Sequence, residues 1–122
     1  MAKVLIVEDT EVNRLVLSSR LEKLGYDVAV AVDGGEGLAK AQAELPDIIL
    51  LDMYLPVMDG GEVIQTLKQD EQTRHIPIIA LTAHSFSKGR DETISIGCDE
   101  YEMKPINFER LVSKIENLIQ KS

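Results

Sequence analysis

The 122-residue chain carries 13 Lys and Arg against 21 Asp and Glu, a net charge of −8, one cysteine and no tryptophan. That length suits one compact domain able to fold without disulfides or a structural metal, and the lone Cys98 leaves no Cys/His spacing for zinc. The acidity argues against a direct nucleic-acid partner, and no apolar run reaches signal-peptide or membrane-spanning length; the composition points to a soluble, cytoplasmic domain with no membrane insertion.

Short apolar runs alternate with longer amphipathic stretches along the chain. The first run, 4–7, reads as a strand and leads into a helix whose apolar stripe is Val12, Leu15, Val16, Leu21 and Leu24, with Gly25 as its stop. A second run at 28–32 is followed by Asp33-Gly34-Gly35-Glu36, the spacing of a capping box, which starts a second helix. The third run, 48–51, is followed by Asp59-Gly60-Gly61-Glu62 with the same spacing and a third helix. After the run at 76–81, a fourth helix over 87–96 is weakened by Gly89 and by β-branched Thr93, Ile94 and Ile96. A weaker strand around Tyr101-Glu102-Met103 precedes a last helix capped by Asn107, with Phe108, Leu111, Val112, Ile115, Leu118 and Ile119 at three- and four-residue intervals. Five strands alternating with five helices imply an α/β domain with a parallel sheet and helices on both faces.

The residues that end the strands carry the chemistry. The first run stops at Glu8-Asp9, the third at Asp52, the fourth at Thr82 and the fifth at Lys104. In an open parallel sheet all strand carboxyl ends lie along one edge, where ligands bind at the point of strand-order reversal. Three carboxylates gathered there repel one another unless protons or a cation join them. Mg²⁺ suits such a set, because it prefers oxygen ligands and pairs with one or two carboxylates and a phosphoryl oxygen. No thiolate or histidine stands at a strand end, which disfavours zinc and copper. A carboxylate beside such a metal can attack phosphorus, with Lys104 and Thr82 stabilising the phosphoryl oxygens.

At these positions the sequence resembles the receiver domain of two-component response regulators. The matching residues are Val4-Leu5-Ile6-Val7-Glu8-Asp9, then Leu50-Leu51-Asp52-Met53-Tyr54-Leu55-Pro56-Val57-Met58-Asp59-Gly60, then Ile78-Ile79-Ala80-Leu81-Thr82-Ala83, Gly97-Cys98-Asp99-Glu100-Tyr101 and Lys104-Pro105. Five pieces in order, spanning essentially the whole chain, carry the resemblance. It implies a flavodoxin-like (βα)5 fold of three layers, strand order 2-1-3-4-5, with residues 1–122 forming one receiver domain. It further implies that Asp52 accepts a phosphoryl group from a phosphohistidine. Glu8, Asp9, Asp52 and the Tyr54 carbonyl would hold Mg²⁺, Thr82 and Tyr101 would form the switch pair, and Lys104 would contact the phosphoryl group. The family commonly aims this lysine with a cis bond to the following proline. Tyr54 and His84 stand at the two variable positions flanking the phosphoryl site, and their bulk is expected to shield the acyl phosphate from water.

The resemblance also implies two surfaces. The first helix, with Asn13, Arg14 and Leu17 near the site, would dock a histidine kinase or histidine phosphotransfer protein. The fourth helix, fifth strand and fifth helix would face an output partner. The chain stops directly after the last helix, so the expectation is a stand-alone receiver that catalyses its own phosphorylation and dephosphorylation.

Simpler roles exist for single residues: Asp9 alone serves as well as a helix cap, Tyr101 as a half-buried strand residue, Cys98 as a small apolar core residue and His75 as a loop residue. Gly61 stands where receivers usually carry a larger apolar side chain. Two rival functions fit the same elements less well. A Mg²⁺-dependent aspartyl-phosphate phosphatase usually carries a second Asp two residues after the nucleophile, where this chain has Tyr54. A flavodoxin-like cofactor-binding module needs a Gly-rich phosphate loop where Glu8-Asp9-Thr10-Glu11 stand.

Overall fold

The computed structural model describes residues 2–53, 55, 58, 60–82 and 97–121. In chain order the elements are β1 (Lys3–Val7), α1 (Glu11–Lys23), β2 (Asp27–Ala31), α2 (Gly34–Glu44), β3 (Ile48–Asp52), α3 (Gly60–Gln69), β4 (Ile78–Thr82), β5 (Glu100–Met103) and α4 (Phe108–Lys121). The fourth helix expected over 87–96 lies outside the described residues, so α4 is the last helix of the sequence reading. The five strands form one parallel sheet in the order β2-β1-β3-β4-β5. The acid-bearing β1 and β3 are adjacent, and β2, whose end carries none of the candidate site residues, lies at an edge.

The central strands are apolar throughout because both of their faces are covered. Alternate residues point to opposite sides of the sheet. Leu5, Val7, Ile49, Leu51, Ile78 and Ala80 pack with Ala41, Val63, Ile64 and Leu67 of α2 and α3. Val4, Ile6, Ile48, Leu50, Ile79 and Leu81 pack with Leu17 and Leu21 of α1 and Leu111 and Ile115 of α4. This is the three-layer arrangement the strand-helix alternation implies. Cys98 is buried in the first of these cores, as a small apolar residue would be.

Start and stop signals act where the sequence places them. Asp33 Oδ1 accepts from the Glu36 N–H at 2.8 Å, and the Glu36 carboxylate accepts from the Val32 N–H at 3.1 Å. Asn107 Oδ1 accepts from the Arg110 N–H at 3.0 Å. Gly25 follows α1 at φ 97°, a left-handed conformation that glycine adopts without Cβ strain. Asp59, the expected cap of α3, lies outside the described residues.

The stripe expected on α1 needs correction. Val12, Leu15, Val16 and Leu24 are 66%, 57%, 50% and 54% exposed, whereas Leu17 and Leu21 are buried. At 100° per residue, Leu17 and Leu21 share one face and Val12, Leu15 and Val16 another. The helix therefore carries two apolar stripes, and only one meets the sheet; Leu24 falls beyond its last turn.

At the rim opposite the strand carboxyl ends, Asp99 ties β4, β5 and α3 together. Its Oδ2 accepts from the Ile78 N–H at 2.8 Å and from Lys68 Nζ at 3.2 Å, and its own N–H donates to the Ile78 carbonyl at 2.9 Å. Among the described residues, no helix is long and apolar enough to cross a membrane.

Candidate functional site

The parallel sheet brings the ends of β1, β3, β4 and β5 to one edge. Glu8 and Asp9 follow β1, Asp52 is the last residue of β3, Thr82 the last of β4, and Lys104 follows β5. Glu8, Asp52 and Thr82 are buried and Asp9 is exposed. Glu8, Asp9 and Asp52 each offer a carboxylate oxygen, and the three oxygens lie within 4.8 Å of one another. Lys104 Nζ donates to Asp52 Oδ2 at 3.0 Å and to Glu8 Oε1 at 3.4 Å. The Lys104–Pro105 peptide is cis.

Main-chain bonds hold the four strand ends in place. The Glu8 N–H donates to the Ala31 carbonyl at 3.0 Å, the Met53 N–H to Leu81 at 3.0 Å, and the Lys104 N–H to Thr82 at 2.8 Å. The Thr10 N–H donates to Glu8 Oε2 at 3.1 Å, and Arg14 Nη1 donates to the carbonyls of Glu8 and Asp9 at 2.9 and 3.0 Å.

The electrostatics follow from crowding. Burial pushes the Glu8 carboxyl above its ordinary value, and the neighbouring Asp52 adds to the rise, outweighing the Thr10 N–H and the Lys104 ammonium. Burial alone would lower the Lys104 ammonium, but the hydrogen bond and charge of Asp52, joined by Glu8, raise it above its ordinary value. Among the described residues, three carboxylates with one ammonium still leave excess negative charge at the sheet edge. An oxygen-only donor set with excess negative charge fits a hard divalent cation such as Mg²⁺.

Tyr101 lies on β5, half-buried, with Lys114 Nζ 5.2 Å from its ring centre. Tyr54 and His84 lie outside the described residues. On the surface beside the site, Asn13 is exposed and Arg14 half-buried. Leu17, expected on the docking face, is instead buried and forms the floor of a groove of about 240 Å³ also lined by Val16, Arg20, Lys104, Pro105 and Phe108. It faces the sheet because it shares the helix face of Leu21.

Two features escaped the sequence reading. The Arg14 contacts with Glu8 and Asp9 are main-chain contacts that no motif spells out. Glu102, in the weakest of the expected strands, is 1% exposed and accepts from Arg110 Nε and Nη2 and from Lys114 Nζ, at 2.8 to 3.2 Å. The legible signal was the pairing of Arg110 with Lys114, four residues apart on one helix face.

Comparison with known proteins bears on the whole arrangement. Residues 4–116 match the family described as the response regulator receiver domain. The polar-differentiation response regulator DivK of Brucella ovis is 41% identical over 117 residues, covering 95% of this chain and 94% of DivK. The response regulator PleD of Caulobacter vibrioides is 39% identical over 96% of this chain, but the chain spans only 26% of PleD. The solved receiver domain of sensor histidine kinase PA1611 from Pseudomonas aeruginosa PAO1 superposes with a TM-score of 0.90 at 34% identity, covering 98% of each chain. That structure holds a magnesium ion in its active-site cleft. A family match over nearly the whole length, the flavodoxin-like strand order and the acids at its carboxyl edge lead to one conclusion: the chain belongs to the response regulator receiver domain family of two-component signalling.

Proposed function

We propose that this chain is a receiver that takes a phosphoryl group onto Asp52 from a histidine kinase or histidine phosphotransfer protein. The observation that carries this reading is the buried Asp52 carboxylate, 3.0 Å from Lys104 Nζ and within 4.8 Å of the Glu8 and Asp9 oxygens. A carboxylate oxygen of Asp52 attacks the phosphorus of a phosphohistidine. The new P–O bond forms as the P–N bond breaks, and the departing imidazole keeps the electron pair and takes up a proton. Lys104 offsets charge on the phosphoryl oxygens, and the Thr82 hydroxyl donates to one of them. Glu8, Asp9, Asp52 and the Tyr54 carbonyl are the residues that would hold Mg²⁺, which supplies charge neutralisation among these oxygens. The same residues serve hydrolysis of the acyl phosphate, so the domain catalyses its own labelling and decay.

Phosphorylation biases a two-state equilibrium in which Thr82 and Tyr101 report the change. The exposed stripe of α1 supports docking of the phosphodonor there. β5 and α4 belong to the surface offered to an output partner, and the setting is the cytoplasm.

Incubation with Mg²⁺ and acetyl phosphate, followed by intact mass, tests the reading. The expected product is one phosphoryl adduct, acid-stable and base-labile, absent from Asp52→Asn. An unmodified wild type, or an equal adduct on Asp52→Asn, defeats it.

A further inference from the structure

Glu8 and Asp9 leave β1 and enter α1 through a turn of three residues, and the peptide planes of that turn set where both carboxylates lie. Such a turn is ordinarily fixed by a side-chain cap at the start of the helix. Here Thr10 stands at the cap position and its side chain makes no cap bond. The turn is held from other directions: the Glu8 N–H is taken by Ala31 of β2, and the Glu8 side chain by the Thr10 N–H. That leaves the carbonyls of Glu8 and Asp9, and one nitrogen of Arg14, a turn further along α1, donates to both at 2.9 and 3.0 Å.

We propose that Arg14 is a positioning residue for divalent-cation binding, holding the Glu8 and Asp9 carbonyls so that the two carboxylates are presented to the ion together. The proposal rests on the reading of Glu8, Asp9 and Asp52 as the metal ligands. It differs from the docking role expected of Arg14, because the Nη1 group is committed within its own chain. Charge and geometry act in opposite directions here, which makes the role separable. As a bare positive charge, Arg14 repels a cation, and its loss would tighten binding. As a strap, its loss frees two peptide planes and weakens binding. Removing a group that orients metal ligands typically costs about 10- to 100-fold in affinity.

Mg²⁺ affinity of the intact chain, measured by isothermal titration calorimetry for wild type, Arg14→Ala and Arg14→Lys, decides the matter. Arg14→Ala is expected to raise Kd about tenfold. Arg14→Lys, which keeps the charge and can reach one carbonyl, is expected to fall between the two. Melting in EDTA accompanies the titration: a purely structural Arg14 would lower the melting temperature and leave Kd unchanged in the folded variant. An unchanged or tighter Kd in Arg14→Ala overturns the proposal, as does a lysine variant equal to wild type. If the alanine variant does not fold, the lysine variant alone decides by the same comparison. A wild type that takes up no Mg²⁺ brings down the metal-site reading and this proposal together. A wild type that binds, with Arg14→Ala binding equally well, brings down only the latter.

Discussion

Lys104 Nζ lies 3.0 Å from Asp52 Oδ2 and is the one ammonium among the described residues that bridges this carboxylate to Glu8. The lysine occupies charge that a divalent cation would otherwise neutralise, so the two compete. Replacing it as Lys104→Met takes the ammonium away from the buried Asp52 and Glu8 carboxylates in EDTA. Losing one member of a buried pair costs about 3–5 kcal/mol, and the partial exposure of Lys104 brings the expected loss down to about 1–3 kcal/mol. Mg²⁺ is then expected to raise the variant's melting temperature by more than it raises that of wild type. Labelling by acetyl phosphate should slow about a hundredfold, the usual cost of removing one donor to a developing anionic oxygen. An equal Mg²⁺ shift in both proteins would contradict the competition.

Glu102 supplies a dependence on pH. Burial by itself raises its carboxyl, but the hydrogen bonds and charges of Arg110 and Lys114 outweigh this and hold it below the ordinary 4.5. An acid with a depressed folded pKa contributes stability that is present above its unfolded value and lost as pH falls through the folded one. Urea melts of wild type should therefore show a loss below about pH 4.5 that is missing from Glu102→Gln. At neutral pH the glutamine variant should be less stable by about 1–3 kcal/mol, since Arg110 stays largely solvated when its partner goes. Parallel acid limbs in the two proteins would rule out this contribution.

Gly37 brings α2 against β1 so closely that a Cβ there would meet both γ-carbons of Val7 at 2.8 Å. In an open helix, alanine in place of glycine gains about 1 kcal/mol. Against a stiff valine the sign reverses, and Gly37→Ala should cost about 1–3 kcal/mol. In a Val7→Ala background most of that cost should vanish. A double-mutant cycle by denaturant unfolding reads the coupling directly, and additive effects would argue that the contact is relieved elsewhere.

Tyr54 and His84 are expected to shield the acyl phosphate from water. Tyr54→Asn and His84→Glu should each shorten the lifetime of the phosphorylated protein several-fold, followed by intact mass after donor removal. Unchanged or longer lifetimes would reject the shielding role.

The ends of β1, β3, β4 and β5 were legible because polar or charged residues (Glu8-Asp9, Asp52, Thr82, Lys104) close the strands, and a parallel sheet must gather such ends on one edge. The apolar runs were plain because strands covered on both faces carry no polar alternation. The orientation of α1 was not legible, since Val12, Leu15 and Val16 mimic a buried stripe as well as Leu17 and Leu21 do. Only the tertiary packing distinguishes them. Glu102 was hidden for a different reason: a carboxylate in a short strand reads as solvent-facing until Arg110 and Lys114, eight and twelve residues later, are folded over it. Arg14 was hidden because a side chain that grips main-chain carbonyls leaves no trace in residue type.

The Asp99 clip has a mechanical consequence. β5 has four residues, Glu100–Met103, fastened just before its start by Asp99 to Ile78 and Lys68, and just after its end by the Lys104 N–H to Thr82. A beam so short and clamped at both ends has little freedom to slide along its length. Tyr101 and Glu102 are successive residues on opposite faces of this strand, so any rotation about its axis would carry the two side chains in opposite directions. With sliding blocked at both ends, twisting is the movement left to join a displacement of the Lys104 ammonium to the surface beside it.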